Sequence, residues 1–110
     1  YFANIDSKEN NAFVSSYKAK FGAKAAVLNT LAESNYAGII FGAALANKAG
    51  STDASKLAAT AEGLTVNTPT GPVTMRNRHT DKNMYLAESK GTQFNIAKVF
   101  SNVPSGQTCT

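Results

Sequence analysis

Few side chains in this sequence could carry out catalysis or bind a metal ion. His79 is the only histidine, and it follows Arg78 in a polar stretch. A metal site or nucleophilic triad that needs histidine could use only this residue, and an exposed histidine beside arginines is the simpler interpretation. Asp6 and Glu9 could form a carboxylate pair for acid–base work, but a helix start also explains both. We therefore predict that the chain is not an enzyme and binds no cofactor or metal.

Cys109 is the only cysteine and stands one residue from the end of the sequence. The chain therefore contains no disulfide framework, CxxC pair or cysteine metal site. Two interpretations stay open for this thiol. A partner cysteine in a segment outside this sequence would fit an oxidising compartment, whereas a free thiol would fit either side of a membrane.

The positive charge is dispersed along the chain. Eleven Lys and Arg residues give a net charge of +4, and the only local cluster comprises Arg76, Arg78, His79 and Lys82. A nucleic-acid surface normally concentrates such residues with aromatics or on one helix face. We therefore predict solvated surface and no nucleic-acid partner. The hydrophobic fraction of 43% and the 110-residue length indicate one soluble domain with a modest core.

The opening segment passes directly from an apolar run into a capped helix. Aromatic and β-branched residues predict a strand over residues 1–5. Asp6 or Ser7 then supplies an N-capping oxygen, and Glu9 adds favourable charge in the first turn. Apolar residues at helical spacing predict a first helix from about Ser7 to Phe21, which Gly22 ends.

The next part of the chain is predicted to be helical. Residues 25–28 could form a short strand, and a second helix follows from about residue 31 to Lys48, ended by Gly50. Its apolar run, residues 37–46, is predicted to be the most buried segment, and it is about half the length that a bilayer requires. One face of that helix carries only small residues, Gly38, Gly42 and Ala46, so a neighbouring element can approach closely there. Residues 51–53 cap a short third helix that ends at Gly63.

The last part of the chain has β character. Residues 64–66 and 71–75 are predicted strands separated by the turn-forming run 67–70. Residues 76–83 are predicted to be a polar loop. Residues 84–88 and 93–99 form a predicted hairpin through 89–92, and residues 102–110 a tail.

Together these segments resemble the C-terminal third of type I periplasmic binding proteins of the branched-chain amino acid, amide and urea group. The resemblance covers about residues 1–100. Its landmarks, in chain order, are Tyr1-Phe2-Ala3-Asn4-Ile5-Asp6, Glu9-Asn10, Phe13-Val14, Tyr17 to Gly22, Glu33, Tyr36, Lys48 to Asp53, Gly63, Pro69 to Met75, His79 and Gly91 to Ile96. Lys8 and Asn4 depart from the family pattern, which often has Pro and Ser at these positions.

The resemblance implies an α/β fold: the C-terminal fragment of a two-lobed receptor, with a strand, three helices and then a β-hairpin. Residues 1–6 would be an interlobe crossover and residues 7–63 would be helices on one lobe. Residues 64–83 would contain a turn and a second crossover, and residues 84–99 would be the hairpin on the other lobe. Residues 100–110 would form a tail.

The function implied is that of an extracytoplasmic receptor, which closes on a small polar solute and delivers it to the membrane subunits of an ABC transporter. Such a receptor is periplasmic or extracellular and works at the membrane surface. Tyr1, Phe2, Asn4 and Asp6 would lie nearest the ligand cleft and hinge. A cytoplasmic ligand-sensing regulator on the same fold is the alternative.

We also expect the chain to be a piece of a larger protein. It does not begin with Met, and its first residues already read as a strand. Helices with so few strands cannot cover a sheet that they do not contain. We therefore expect the remainder of its own polypeptide to be a partner that the fold needs for stability.

Overall fold

The computed structural model describes residues 1–106 and contains three α-helices followed by four β-strands. The helices are α1 (Lys8–Phe21), α2 (Thr30–Ala49) and α3 (Ala54–Thr60). The strands are β1 (Thr65–Thr68), β2 (Gly71–Arg76), β3 (His79–Lys90) and β4 (Gln93–Val103). Cys109 lies outside the described residues. Helices followed by an antiparallel sheet give the α/β composition predicted from the sequence.

Local capping signals determine where α1 and α2 begin and end. Ser7 accepts a hydrogen bond from the Asn10 backbone N–H at 3.1 Å, and Gly22 follows the last residue of α1. Asn29 caps α2, and Gly50 takes the left-handed conformation at its end, with φ of 59°. Glycine adopts this conformation without a steric penalty from Cβ. Both predicted helices are confirmed, whereas α3 ends at Thr60, before the predicted Gly63.

The four strands form an antiparallel meander in the order β1-β2-β3-β4. The predicted polar loop over residues 76–83 is wrong. Arg76 pairs with His79 across a tight turn in which Asn77 and Arg78 have φ of 49° and 67°, so β3 already begins at His79. Positive φ at both central residues suits the twist of a two-residue hairpin turn. The hairpin of β3 and β4 is confirmed, but β4 continues to Val103, so the predicted tail from residue 100 starts too early.

Two predicted strands are absent from the described residues. Residues 1–5 form a turn and an irregular segment, and residues 25–28 are irregular. A strand needs a neighbour to pair its backbone groups, and neither segment has one within residues 1–106. Favourable residue types alone were therefore insufficient.

The hydrophobic core is small. Its buried apolar residues are Ile5, Phe13, Leu28 and Val73. The predicted deep burial of residues 37–46 is wrong within the described chain, because Ile39 is 75% exposed and none of the ten residues is buried. An ideal Cβ at Gly38 or Gly42 would meet no atom within 4 Å. Gly38 and Gly42 thus have no close neighbour among residues 1–106, so the close approach predicted for these two positions is not seen there.

Candidate functional site

Asn10 holds the N-terminal segment, residues 1–6, against α1. Its side chain is fully buried, and its Nδ2 donates to the Ala3 carbonyl at 3.0 Å and to the Ile5 carbonyl at 2.8 Å. Its Oδ1 accepts from the Tyr1 hydroxyl at 2.6 Å. One amide therefore satisfies three polar groups of a segment that has no sheet partner.

Contacts between aromatic rings also link the N-terminal segment to α1 and α2. The Tyr1 and Phe13 rings meet edge to face with centroids 6.4 Å apart. Phe13 in turn stacks on Tyr36, with centroids 4.3 Å apart. The aromatic residues that predicted the first helix face therefore join the N-terminal segment, α1 and α2 into one cluster.

The same segment also touches the tip of the β3–β4 hairpin. Asn4 Nδ2 donates to the Phe94 carbonyl at 2.7 Å, and the Phe2 and Phe94 rings lie 5.2 Å apart. These two contacts connect the beginning of the chain to the start of β4. They also bring the predicted site residues Phe2 and Asn4 together on one surface.

A groove of about 870 Å³ lies along this surface, and we call it the N-terminal groove. Tyr1, Phe2 and Asn4 line it, so the structure brings together three of the four predicted site residues. The other lining residues come from α1, from the connection to α2 and from the hairpin tip: Ala3, Val14, Tyr17, Lys18, Ala25 to Thr30, and Thr92 to Phe94. The groove therefore combines aromatic and aliphatic side chains with a few amides and hydroxyls, a composition common in ligand sites.

Asp6 is the predicted site residue that lies elsewhere. Its side chain is exposed and does not line the groove, and its Oδ1 accepts from Asn11 Nδ2 at 3.2 Å. The N-cap of α1 is Ser7, whose Oγ also donates to the Pro69 carbonyl at 3.3 Å. Of the two capping residues considered from the sequence, Ser7 performs this role and Asp6 does not.

Glu33 was a landmark of the family pattern, but the sequence did not predict that it would be a site residue. It lies in the first turn of α2, is 2% exposed, and its Oε1 has no hydrogen-bond partner among the described residues. Burial raises the pKa of its carboxyl, and positive charges, chiefly Lys82, together with a side-chain hydrogen bond from Thr70 oppose that rise. Burial and the negative charge of Glu33 together raise the pKa of the Tyr1 hydroxyl to about 12.

The residues considered for catalysis, metal binding and nucleic-acid binding lie mainly around the β2–β3 turn, where Arg76 and His79 are cross-strand partners. His79 Nδ1 lies 3.0 Å from the Asn77 carbonyl oxygen at the hairpin turn. Arg76 lies within 4 Å of carboxylate oxygens of Glu62 and Asp81, and Lys82 lines a separate cavity beside Glu33. Residues 1–106 contain no group of three or more potential metal ligands. Across the same residues, no helix combines the length and apolar character needed to span a membrane.

A family model for the periplasmic binding proteins matches residues 1–93. The chain therefore belongs to the periplasmic binding protein family, and the resemblance noted in the sequence is confirmed. A search among curated proteins finds no match to this chain.

Solved structures support the same assignment and identify the fold as that of the type I solute-binding proteins of ABC transporters. One is a solute-binding protein from R. palustris in complex with benzoate, with a TM-score of 0.80, 22% identity, and coverage of 97% of this chain and 30% of that one. A second, from Rhodopseudomonas palustris BisB5 in complex with 3,4-dihydroxybenzoic acid, has a TM-score of 0.79, 26% identity, and coverage of 94% and 30%. A branched-chain amino acid transporter protein from Rhodopseudomonas palustris CGA009 has a TM-score of 0.79, 20% identity, and coverage of 93% and 29%. The chain thus spans about 30% of the length of these proteins and is a fragment of their fold.

Proposed function

We propose that the intact protein is an extracytoplasmic solute receptor, which delivers a small polar solute to the membrane subunits of an ABC transporter. The match of the periplasmic binding protein family over residues 1–93 carries this proposal. Binding by a two-lobed receptor buries the solute between the lobes, so closure about a hinge both traps the ligand and changes the surface offered to the membrane partner. A periplasmic or extracellular location follows from this role.

The N-terminal groove is the part of this chain that we assign to the ligand cleft. Tyr1, Phe2 and Asn4 line it beside the hairpin tip, and their anchorage through Asn10 and Phe94 gives them defined positions. Asp6 lies just beyond the groove, and we keep it as a prediction for the hinge. A preorganised wall of this kind loses little conformational entropy when a solute binds.

We propose a branched-chain amino acid, an amide or a urea-type compound as the solute. Benzoates are the ligands of two related solute-binding proteins, so an aromatic carboxylate is a comparison ligand for the same experiment. Thermal unfolding of the intact receptor should be followed with leucine, acetamide, urea and benzoate in separate titrations. One class should raise the unfolding temperature in a saturable manner, because a ligand that binds only the folded state adds about 2.7 kcal/mol at a hundredfold excess over Kd.

The groove assignment is tested separately with Asn4→Ala and Phe2→Ala in the intact receptor. Each should weaken binding of the active solute roughly three- to tenfold, since each removes one contact that fixes the groove wall. Asn47→Ala, an exposed change at the end of α2, is the matched control and should leave affinity unchanged. If no solute class stabilises the receptor, the transport role is wrong. If a solute binds but both groove variants behave as wild type, only the site assignment is wrong.

A further inference from the structure

The β3–β4 hairpin has an inner and an outer face, and both carry apolar side chains. Successive side chains of a strand point to opposite faces. Tyr85 belongs to the inner face, because its hydroxyl donates to the Thr70 carbonyl at 2.8 Å. Met84 and Leu86, its neighbours on β3, therefore lie on the outer face, and they are 50% and 56% exposed.

Pairing with β4 makes these residues part of a continuous patch. Met84 lies directly opposite Phe100, and Leu86 lies directly opposite Lys98, so all four share the outer face. Phe100 is 43% exposed, and Lys98 Nζ lies 4.8 Å from the centroid of its ring. We call these four residues the hairpin patch. A hairpin that packs on the body through one face normally presents polar residues on the other, so an apolar outer face indicates an interaction surface.

The hairpin patch also has charges of both signs. Glu88 follows Leu86 by two residues on β3, so it lies on the same face beside the patch, and it is exposed. Across residues 1–106 the ion pairs are those of Arg76, and neither Glu88 nor Lys98 takes part in one. A surface with an apolar centre, a free carboxylate and a free ammonium is complementary to a second copy of itself.

A two-fold axis parallel to the strands would use this complementarity. It places β3 of one copy over β4 of the other, so Met84 faces Phe100 of the second copy, and the thioether–ring contact occurs twice. Leu86 then packs against the aliphatic stem of Lys98 of the second copy. Glu88 lies diagonally from that ammonium, a position that long side chains can reach.

We propose that the hairpin patch binds a second copy of this protein in a symmetric dimer. Residues 84–88 span only about 17 Å at roughly 3.4 Å per residue, so the contact is smaller than the roughly 800 Å² per partner of a standard interface. The dimer is therefore weak, with a Kd of roughly 10–100 μM. None of the four patch residues lines the N-terminal groove, so the dimer does not depend on the transport role.

The test measures the mass of the intact protein by sedimentation equilibrium from about 10 μM to about 1 mM, the range that brackets this Kd. Wild type should pass from monomer to dimer. Lys98→Glu and Glu88→Lys should each weaken the dimer at least roughly tenfold, because like charges then meet at two symmetric positions. The double variant should regain most of the lost affinity, since opposite charges face each other again. Lys24→Glu, an exposed charge reversal between α1 and α2, is the matched control and should dimerise as wild type.

A further variant keeps both charges and changes the apolar centre. Leu86→Gln should weaken the dimer roughly tenfold but leave the unfolding temperature of the dilute monomer unchanged, because Leu86 is already 56% exposed. If the remainder of the polypeptide covers the patch instead, the intact protein will stay monomeric and Leu86→Gln will lower its unfolding temperature. That result would overturn the proposal, as would a dimer whose affinity neither charge reversal changes.

Discussion

Asn10 is the residue on which the position of the N-terminal segment most depends. Asn10→Ala removes the donors of the Ala3 and Ile5 carbonyls and the acceptor of the Tyr1 hydroxyl. We expect the intact protein to lose about 2–3 kcal/mol of unfolding free energy, because buried polar groups are left unpaired. Chemical denaturation measures this, with the exposed Asn11→Ala as control. Equal losses in the two variants would contradict the anchoring role.

Glu33 should give the protein a pH-dependent stability. Burial raises its pKa in the folded state above the ordinary value of 4.5, so the folded state holds the proton more tightly than the unfolded state. This contribution to stability is fully present below the unfolded value and is lost as pH rises through the folded value. Chemical denaturation across that pH window should show that the unfolding free energy of wild type falls as pH rises, whereas that of Glu33→Gln does not. A parallel decline in both would refute the assignment.

Tyr1 should also contribute stability that is lost as pH rises, but in the alkaline range. Its pKa is raised to about 12, so the neutral hydroxyl that donates to Asn10 is favoured by folding. The stability that this provides is complete below the ordinary value of 10.0 and falls as pH rises towards 12. Tyr1→Phe should flatten that part of the stability profile relative to wild type, whereas Tyr17→Phe, a groove residue on α1, should retain the slope.

At the scale of elements, α2 depends on its C-terminal glycine. Gly50 has φ of 59°, and its backbone N–H bonds to the carbonyls of Ala46 and Asn47. Gly50→Ala should cost about 1–2 kcal/mol because a Cβ disfavours the left-handed conformation. Gly50→Asn should cost less, since asparagine tolerates that region better. Thermal unfolding of the two variants ranks them, and the reverse order would contradict this account of the helix end.

Elements with local signals were predictable, and elements that depend on distant partners were not. The caps at Ser7 and Gly50 mark α1 and α2 in the sequence because capping involves only adjacent residues. Residues 1–5 have strand-forming types, yet a strand also requires a paired neighbour, which the sequence of this segment cannot provide. The turn at Asn77–Arg78 was missed because it uses two non-glycine residues at positive φ.

The site was predictable to a similar degree. Tyr1, Phe2 and Asn4 were placed near the cleft through the family pattern, and they do share one groove. Glu33 was missed as a buried acid because the residues that share its cavity, among them Thr68 and Thr70, lie far along the chain. In a sequence, a glutamate in the first turn of a helix is normally explained by its favourable interaction with the positive end of the helix dipole.

At the scale of the whole molecule, we expect the chain to need a partner, because its described residues expose large apolar side chains. Val27 is 83% exposed and Leu31 is 74% exposed, while few apolar residues are buried. Because the chain spans about 30% of related proteins, the remainder of its own polypeptide is the partner that we expect to cover this surface.

This expectation is tested by purifying residues 1–110 alone. The isolated chain should associate or unfold without a cooperative transition, because its buried apolar area cannot offset the conformational entropy of ordering it. Calorimetry combined with sedimentation measures both properties, and the intact protein is the control. A monomeric, cooperative thermal transition of the isolated chain would contradict the prediction.

The pairing of β3 has a mechanical consequence. Its first residues, His79 to Asp81, pair with β2, whereas the rest, from Lys82 onward, pairs with β4 across a register shift between Lys82 and Met84. The part of the β3–β4 hairpin beyond Lys82 is therefore held to the rest of the chain by side chains: the Tyr85 hydroxyl donates to the Thr70 carbonyl at 2.8 Å, and Asn4 and Phe2 contact Phe94 near the tip. Loss of the contacts at Phe94 would separate the hairpin tip from the N-terminal segment and leave the Tyr85 bond in place.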